Sequence, residues 1–284
     1  MTSRTISTSR HEDADVSWAF AACPPHPALA ADVVGYVGYR EHALRPVRRR
    51  EVPSARVPVI ISFGDTLRVS GLVDGAGAPI RLTSFVAGFS DTYAVTEYAG
   101  GQRGLQIDLT PLGAFRMLGL AGDELRSGSL ELADVLGPSA ADLVDQLVSA
   151  PDWGTRFGIV DTFLLRRAER ARAVEPAIGW AWERIRRSEG QIEIGRLAAD
   201  IGWSRRHFGD RFRHHVGLRP KAAARVLRFA RAVRMLDGSR AISDVAADCG
   251  YADHSHLVHE VQEMAGCTPT DLMAERNPPP GSSS

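Results

Sequence analysis

Leu197-Ala198-Ala199-Asp200-Ile201-Gly202-Trp203 returns 48 residues later as Val245-Ala246-Ala247-Asp248-Cys249-Gly250-Tyr251. Gly217-Leu218-Arg219-Pro220 returns 49 residues later as Gly266-Cys267-Thr268-Pro269. Each copy reads as a short helix, a Gly-aromatic turn, a longer helix and a Gly-x-x-Pro stop. The last third of the chain is therefore one helical unit made twice. A tight turn between two helices is the geometry that sets a second helix into a DNA major groove.

In the first copy Glu193 to Ile201 predicts the supporting helix. Ser204 caps a second helix that ends near Val216. The helical period places Phe208, Phe212 and His215 on one buried face. Arg206, Gly209, Asp210 and Arg213 lie opposite, with Arg205 at the helix start. Arginine suits bidentate contact to guanine, and aspartate accepts from the cytosine amino group or orients an arginine. In the second copy Asp253 is the cap and Leu257 and Val261 are buried. His254 stands at the helix start, and Ser255, Val258, His259 and Gln262 project from the open face. Gln262 suits adenine and Val258 a thymine methyl. His254, His256 and His259 have no fourth ligand and point different ways, so they read as groove-facing or surface residues, with no metal site. Between the copies, Pro220 to Asp237 predicts one long helix buried through Val226, Leu227, Ala230, Val233 and Leu236. It sets the spacing of the two reading helices, and a spacing of roughly 34 Å would let both enter successive major grooves.

Net charge is zero, but the average hides a contrast. From Trp203 to Arg234 ten basic residues face only Asp210, a net +9. From Met235 onward two basic residues face eight acids, a net −6. A phosphate-binding surface is expected of the first segment and not of the second.

At 284 residues the chain suits two domains, and 44% apolar content lets each bury a core. No run of about 18 apolar residues predicts a membrane span. Met1 to Asp15 lacks the apolar core of a signal peptide, and Cys23, Cys249 and Cys267 form no pair or zinc spacing. A cytoplasmic protein is expected, with Cys249 a buried filler. Val33 to Thr110 is short, alternating and Gly-punctuated. Strands are predicted at Val57–Phe63, Thr66–Leu72, Ile80–Val86, Tyr93–Tyr98 and Leu105–Leu109, with turns at 74–77 and Gly100–Gly104. Leu130–Leu136, Ser139–Ser149 and Asp152–Arg172 carry helical periodicity. The last of these has an apolar face (Phe157, Val160, Phe163, Leu164, Ala168) that packs on its own domain or on a second copy, the former being the simpler expectation.

From Trp180 to Arg276 the chain resembles the DNA-binding domain of AraC/XylS-type transcription regulators. The resemblance is carried by Leu197-Ala198, Ser204, Phe208, Phe212, Gly217, Pro220, the Arg228–Leu236 helix and Ile242-x-x-Val245-Ala246. Cys249-Gly250-Tyr251, Ser255, Leu257, Gly266 and Thr268-Pro269 continue it. By the same resemblance the preceding region is similar to a cupin-like sensory domain. The expected fold is α+β: an N-terminal small β-barrel with appended helices, then an all-α domain of two helix-turn-helix units. The boundaries are a disordered arm 1–15, an effector or dimerisation domain 16–172, a linker 173–178, the DNA-binding domain 179–276 and a disordered tail 277–284. The resemblance implies double-stranded DNA as partner, with RNA polymerase, a small-molecule effector and a second copy of the chain as further partners. In the family, arginine is usual where Asp210 and His259 stand, and phenylalanine where Val261 stands. The first unit is accordingly expected to supply most of the affinity.

No histidine falls between Glu51 and Arg206, so the β domain holds no His-rich metal site and no cofactor or catalytic residue is expected there. Phe63, Phe85, Phe89, Tyr93 and Tyr98 either line an effector pocket or pack the core. A repair or amidotransferase-like enzyme would need a cysteine cluster or nucleophile elbow in the first half, where Cys23 stands alone. A remaining alternative is an interaction protein or co-regulator that has lost strong DNA binding.

Overall fold

The computed structural model describes residues 4–64, 66–70, 79–237 and 240–276, with the side chains of 126 and 127 left aside. The turn expected at 74–77 and the tail 277–284 lie outside the described residues.

The first half is antiparallel β. Its strands are β1 (Ser7–Glu12), β2 (Val16–Cys23), β3 (Val33–Glu51), β4 (Val57–Ser62), β5 (Leu67–Ser70), β6 (Ile80–Leu82), β7 (Phe85–Ala87), β8 (Ala94–Leu109) and β9 (Ser129–Glu131). They form one sheet in the order β1-β2-β3-β8-β4-β7-β9, with β5 against β8 and β6 against β5. The end strands β1 and β9 do not pair with each other, so barrel closure is not among the described pairings.

Two expectations fail here for a common reason. The disordered arm 1–15 is in part a strand: Ser7 to Glu12 pair residue by residue with β2. Every residue of β1 is exposed, so no hydrophobic alternation marks it, and the backbone ladder alone forms it. The turn expected at Gly100–Gly104 is instead continuous strand, paired with β3 from Ala43 to Tyr39. A long partner strand supplies hydrogen bonds that override the local turn preference of glycine. The register of β3 shifts between Val33 and Gly35 and again between Ala43 and Val47, the second around Pro46, which has no N–H for the ladder.

Helices then cover the sheet. Thr110 caps α1 (Pro111–Leu118) by accepting from the Gly113 N–H. The helix expected over Leu130–Leu136 begins later, because Ser129–Glu131 joins the sheet against β7, leaving α2 at Leu132–Leu136. α3 (Ser139–Ser149) and α4 (Trp153–Ala168) follow, α4 capped by Asp152. Phe157, Val160 and Leu164 of α4 are buried within this domain, and Trp153 stacks on both Phe63 and Phe157. Buried Asp161 accepts from the Tyr36 hydroxyl at 2.8 Å and the His26 N–H at 3.0 Å, and pairs with Arg4. One carboxylate thus ties α4, β3 and the N-terminal segment together.

The second half is helical: α5 (Pro176–Arg187), α6 (Ile194–Ile201), α7 (Arg205–Val216), α8 (Pro220–Leu236), α9 (Ile242–Asp248), α10 (His254–Ala265) and α11 (Pro269–Arg276). Helix α5 starts inside the linker expected at 173–178, with Pro176 in its first turn, where a missing N–H costs nothing. Buried apolar residues from Ala21 to Leu272 belong to one core, so the two halves share packing and are not beads on a linker.

Candidate nucleic-acid interface

Each helix-turn-helix unit is fixed by its turn and its cap. Gly202 and Gly250 turn the chain at φ of 76° and 72°, a region open to glycine at no steric cost. Ser204 then accepts from the His207 N–H at 3.2 Å and Asp253 from the His256 N–H at 2.8 Å. Phe208, Phe212 and His215 of α7 are buried, as are Leu257, Val261 and Met264 of α10. Burial of these faces turns the opposite ones outward.

On α7, Arg205 and Arg206 are exposed and Arg213 is half-buried. Gly209 is not open as its helical phase predicts: it is buried beneath Arg219, whose Nη1 lies 2.8 Å from where a Cβ would stand. The same guanidinium donates to Asp210 at 2.8 Å, so Asp210 is a paired carboxylate. Sequence reasoning missed Arg219, which lies beyond the recognition helix. The available signal was an arginine at a helix N-cap, where Ser, Thr, Asp or Asn is preferred. On α10, His254, Ser255, His259 and Gln262 are exposed and Val258 is half-buried.

The charge contrast shrinks in three dimensions. Six of the ten basic residues between Trp203 and Arg234 hold carboxylates: Arg211 on Glu175, Arg219 on Asp210, Arg225 and Arg228 on Glu260, Arg231 and Arg234 on Glu189. Arg205, Arg206, Arg213 and Lys221 are left with no ion pair among the described residues. Of the acids in the second unit, Glu260 and Glu263 are held by Arg225, Asp237 by Arg276, Asp248 by Arg240 and Glu275 by Arg50. Arg225 and Arg228, on Glu260 and Glu263, join the two segments directly, and the other pairs close within one segment or on Glu175, Glu189 and Arg50.

Both reading helices end against the β domain. The Gly122 N–H donates to the His214 carbonyl at 2.7 Å, and the ring of Phe115 packs on His215 at 4.5 Å. Burial pushes the His215 imidazole below its ordinary pKa, and the neighbouring His214, Arg211 and Arg172 charges push the same way. At the end of α10, Arg50 donates to the Ala265 carbonyl at 2.6 Å and pairs with Glu275. The spacing set by α8 is thus fastened a second time through α1 and β3.

The five aromatics, expected either to line an effector pocket or to pack the core, do not gather around one cavity. Phe63 stacks on Trp153, Phe85 sits in a small separate core with Val69 and Leu82, and the Tyr98 hydroxyl donates to buried Glu41. Alternating strands deliver them to different parts of the sheet. Phe89 and Tyr93 line a cavity of about 740 Å³ between the sheet and α8, whose far wall includes Leu218, Leu227, Ala230 and Val233. Its arginines Arg50, Arg56, Arg234 and Arg276 are engaged with Glu275, Asp108, Glu189 and Asp237.

Residues 197–275 match a family model described as a helix-turn-helix domain. No curated protein matches the chain. Among solved structures, ToxT from Vibrio cholerae O395 is 7% identical over 81% of this chain and 97% of its own, at a TM-score of 0.44. The same protein bound to (E)-4-(8-methylnaphthalen-1-yl)but-3-enoic acid is 8% identical over 84% and 97%, at 0.47. Unsaturated fatty acid bound wild-type ToxT from Vibrio cholerae strain SCE256 is 9% identical over 94% and 98%, at 0.46. A likeness of this size says nothing of ligand or activity. With the repeat, the two turns and the two caps in place, residues 197–275 are a helix-turn-helix domain of the AraC type.

Proposed function

We propose that the chain is a sequence-specific transcription regulator whose helices α7 and α10 enter successive major grooves of double-stranded DNA. The observation that carries the proposal is the outer face of α7. Two exposed arginines stand in its first turn, its opposite face is buried through Phe208, Phe212 and His215, and Ser204 caps its N-terminus. Arg205, Arg206 and Arg213 are the contacts of the first unit, with Asp210 as a paired neighbour. His254, Ser255, Val258, His259 and Gln262 are those of the second. The first unit supplies most of the affinity, because the outer face of α10 carries no arginine. The second orients the protein or faces RNA polymerase.

The N-terminal domain senses a small molecule or mediates dimerisation. For the former, the cavity of about 740 Å³ between the sheet and α8 is of the size that holds a drug-sized ligand. Because its arginines are engaged in ion pairs, it suits a largely apolar effector. Such a ligand would touch β-domain residues and the helix that spaces the reading heads at once.

Recovery of genomic fragments bound by the purified protein at about 150 mM salt tests the reading, since non-specific binding is weak there. One enriched motif spanning two major grooves is expected. A folded protein that enriches nothing, with or without cell extract as an effector source, refutes it in favour of an interaction protein.

A further inference from the structure

Arg219 occupies the N-cap of α8 but makes no capping hydrogen bond there. The matching position of the second unit, Thr268, does what that place asks: its hydroxyl accepts from the Asp271 N–H at 3.2 Å. Arg219 reaches back instead onto the outer face of α7. Its Nη2 donates to Asp210 at 2.8 Å, and its Nη1 lies 2.8 Å from where a Cβ on residue 209 would be. The second unit carries Val258 at the position of Gly209 and His259 at that of Asp210. Three of the departures between the two units therefore meet at one guanidinium.

Each departure has a cost that the guanidinium offsets. Glycine inside a helix is less favourable than alanine, yet a Cβ at position 209 would meet the Arg219 guanidinium and push it from the place it holds on α7. A carboxylate on a DNA-facing surface is repelled by phosphates, yet Asp210 is held by the arginine. An arginine at an N-cap leaves helix donors unmet, yet this one is presented between Arg206 and Arg213 on the same helical face. The Arg219 side chain keeps 53% of its surface exposed, and one hydrogen bond to Asp210 leaves it further N–H donors.

We propose that Arg219 is a specificity-determining residue. Held over Gly209 by Asp210, it reads one guanine through the O6 and N7 acceptors in the major groove. Asp210 is its positioning residue. The inference rests on the DNA-reading role proposed above and adds to it a base contact from outside the recognition helix.

Selection from a random duplex pool with the full chain tests it, comparing the parent protein with Arg219→Lys, Arg219→Ala and Gly209→Ala. A lysine keeps the charge but not the bidentate fork. Arg219→Lys is therefore expected to relax one guanine position of the selected motif by roughly tenfold while its salt dependence stays that of the parent. Arg219→Ala should relax the same position. Gly209→Ala should raise the thermal midpoint, as alanine favours helix, and yet relax that position too, because its methyl displaces the guanidinium. An unchanged motif in a folded Arg219→Lys protein overturns the proposal. So does uniform weakening across all sequences with Arg219→Ala, with the salt slope falling by about one, the signature of a phosphate contact. If the parent protein itself selects no motif, the DNA-reading role fails first, and the inference with it.

Discussion

Helices α7 and α10 share one backbone plan and carry different chemistry. Both are capped by a side-chain oxygen, both follow a glycine in the left-handed region, and both end against the β domain. Their buried positions correspond in order: Phe208 with Leu257, Phe212 with Val261, His215 with Met264. Their outer positions do not, with Arg205, Arg206 and Arg213 set against His254, Ser255 and Gln262. Burial keeps each inner position filled by a mostly apolar side chain even where its size changes, so the inner face preserves the fold in both units. Solvent imposes no such demand, so the outer faces are free to differ. The difference separates what builds a reading head from what it reads.

The largest effect expected is on the shared core. Phe208→Ala should cost about 3–5 kcal/mol and Leu257→Ala about 2–5 kcal/mol, each moving a single denaturation transition, because both side chains belong to one core. Two separate transitions would mean that the units fold independently. Next is the ion-pair network. Glu260 is buried, held by Arg225 and Arg228 of α8, and Glu260→Ala strands Arg228 and leaves Arg225 with Glu263 alone, at a cost of about 3 kcal/mol. The equivalent position of the first unit is Arg211, paired at the surface with Glu175, and Arg211→Ala should cost about 1 kcal/mol or less. Equal losses in urea titrations would remove this asymmetry.

A third comparison concerns DNA. Arg206→Ala should weaken specific binding by roughly tenfold or more, and Gln262→Ala by about threefold or less. Equal losses in a fluorescence titration would show that the two units contribute alike. The smallest effect is one of pH. The folded protein holds the His215 pKa below its unfolded value, so on acidification the unfolded chain takes up the proton first. The stabilisation tied to neutral His215 is complete above about pH 6.5 and is lost as pH falls below it. His215→Met copies the second unit, and its thermal midpoint should fall less than the parent's between pH 7.5 and 5.5. Parallel falls would assign the sensitivity elsewhere.

The helical half was open to sequence reading because its signals are local. The repeat, the caps Ser204 and Asp253, the glycine turns and the apolar spacing of α7, α8 and α10 each lie within a few residues of what they determine. The β half was legible in class but less so in detail. β1 carries no hydrophobic pattern, and β8 runs through a glycine cluster that reads as a turn. Both exist because a partner far along the chain offers a hydrogen-bond ladder. The five aromatics show the same limit, since alternation assigns a side chain to a face of a sheet but not to a neighbour.

The sequence by itself therefore determined two helix-turn-helix units, their buried faces and an antiparallel domain ahead of them. Only the tertiary structure decided which charges remain free. A net +9 and a net −6 are properties of segments, whereas pairing across helices leaves Arg205, Arg206, Arg213 and Lys221 as the first unit's unpaired cations among the described residues. Tertiary structure alone also laid Arg219 across Gly209. Helical periodicity fixes where a residue's own side chain points, while a long side chain from the next element settles wherever space and an opposite charge coincide.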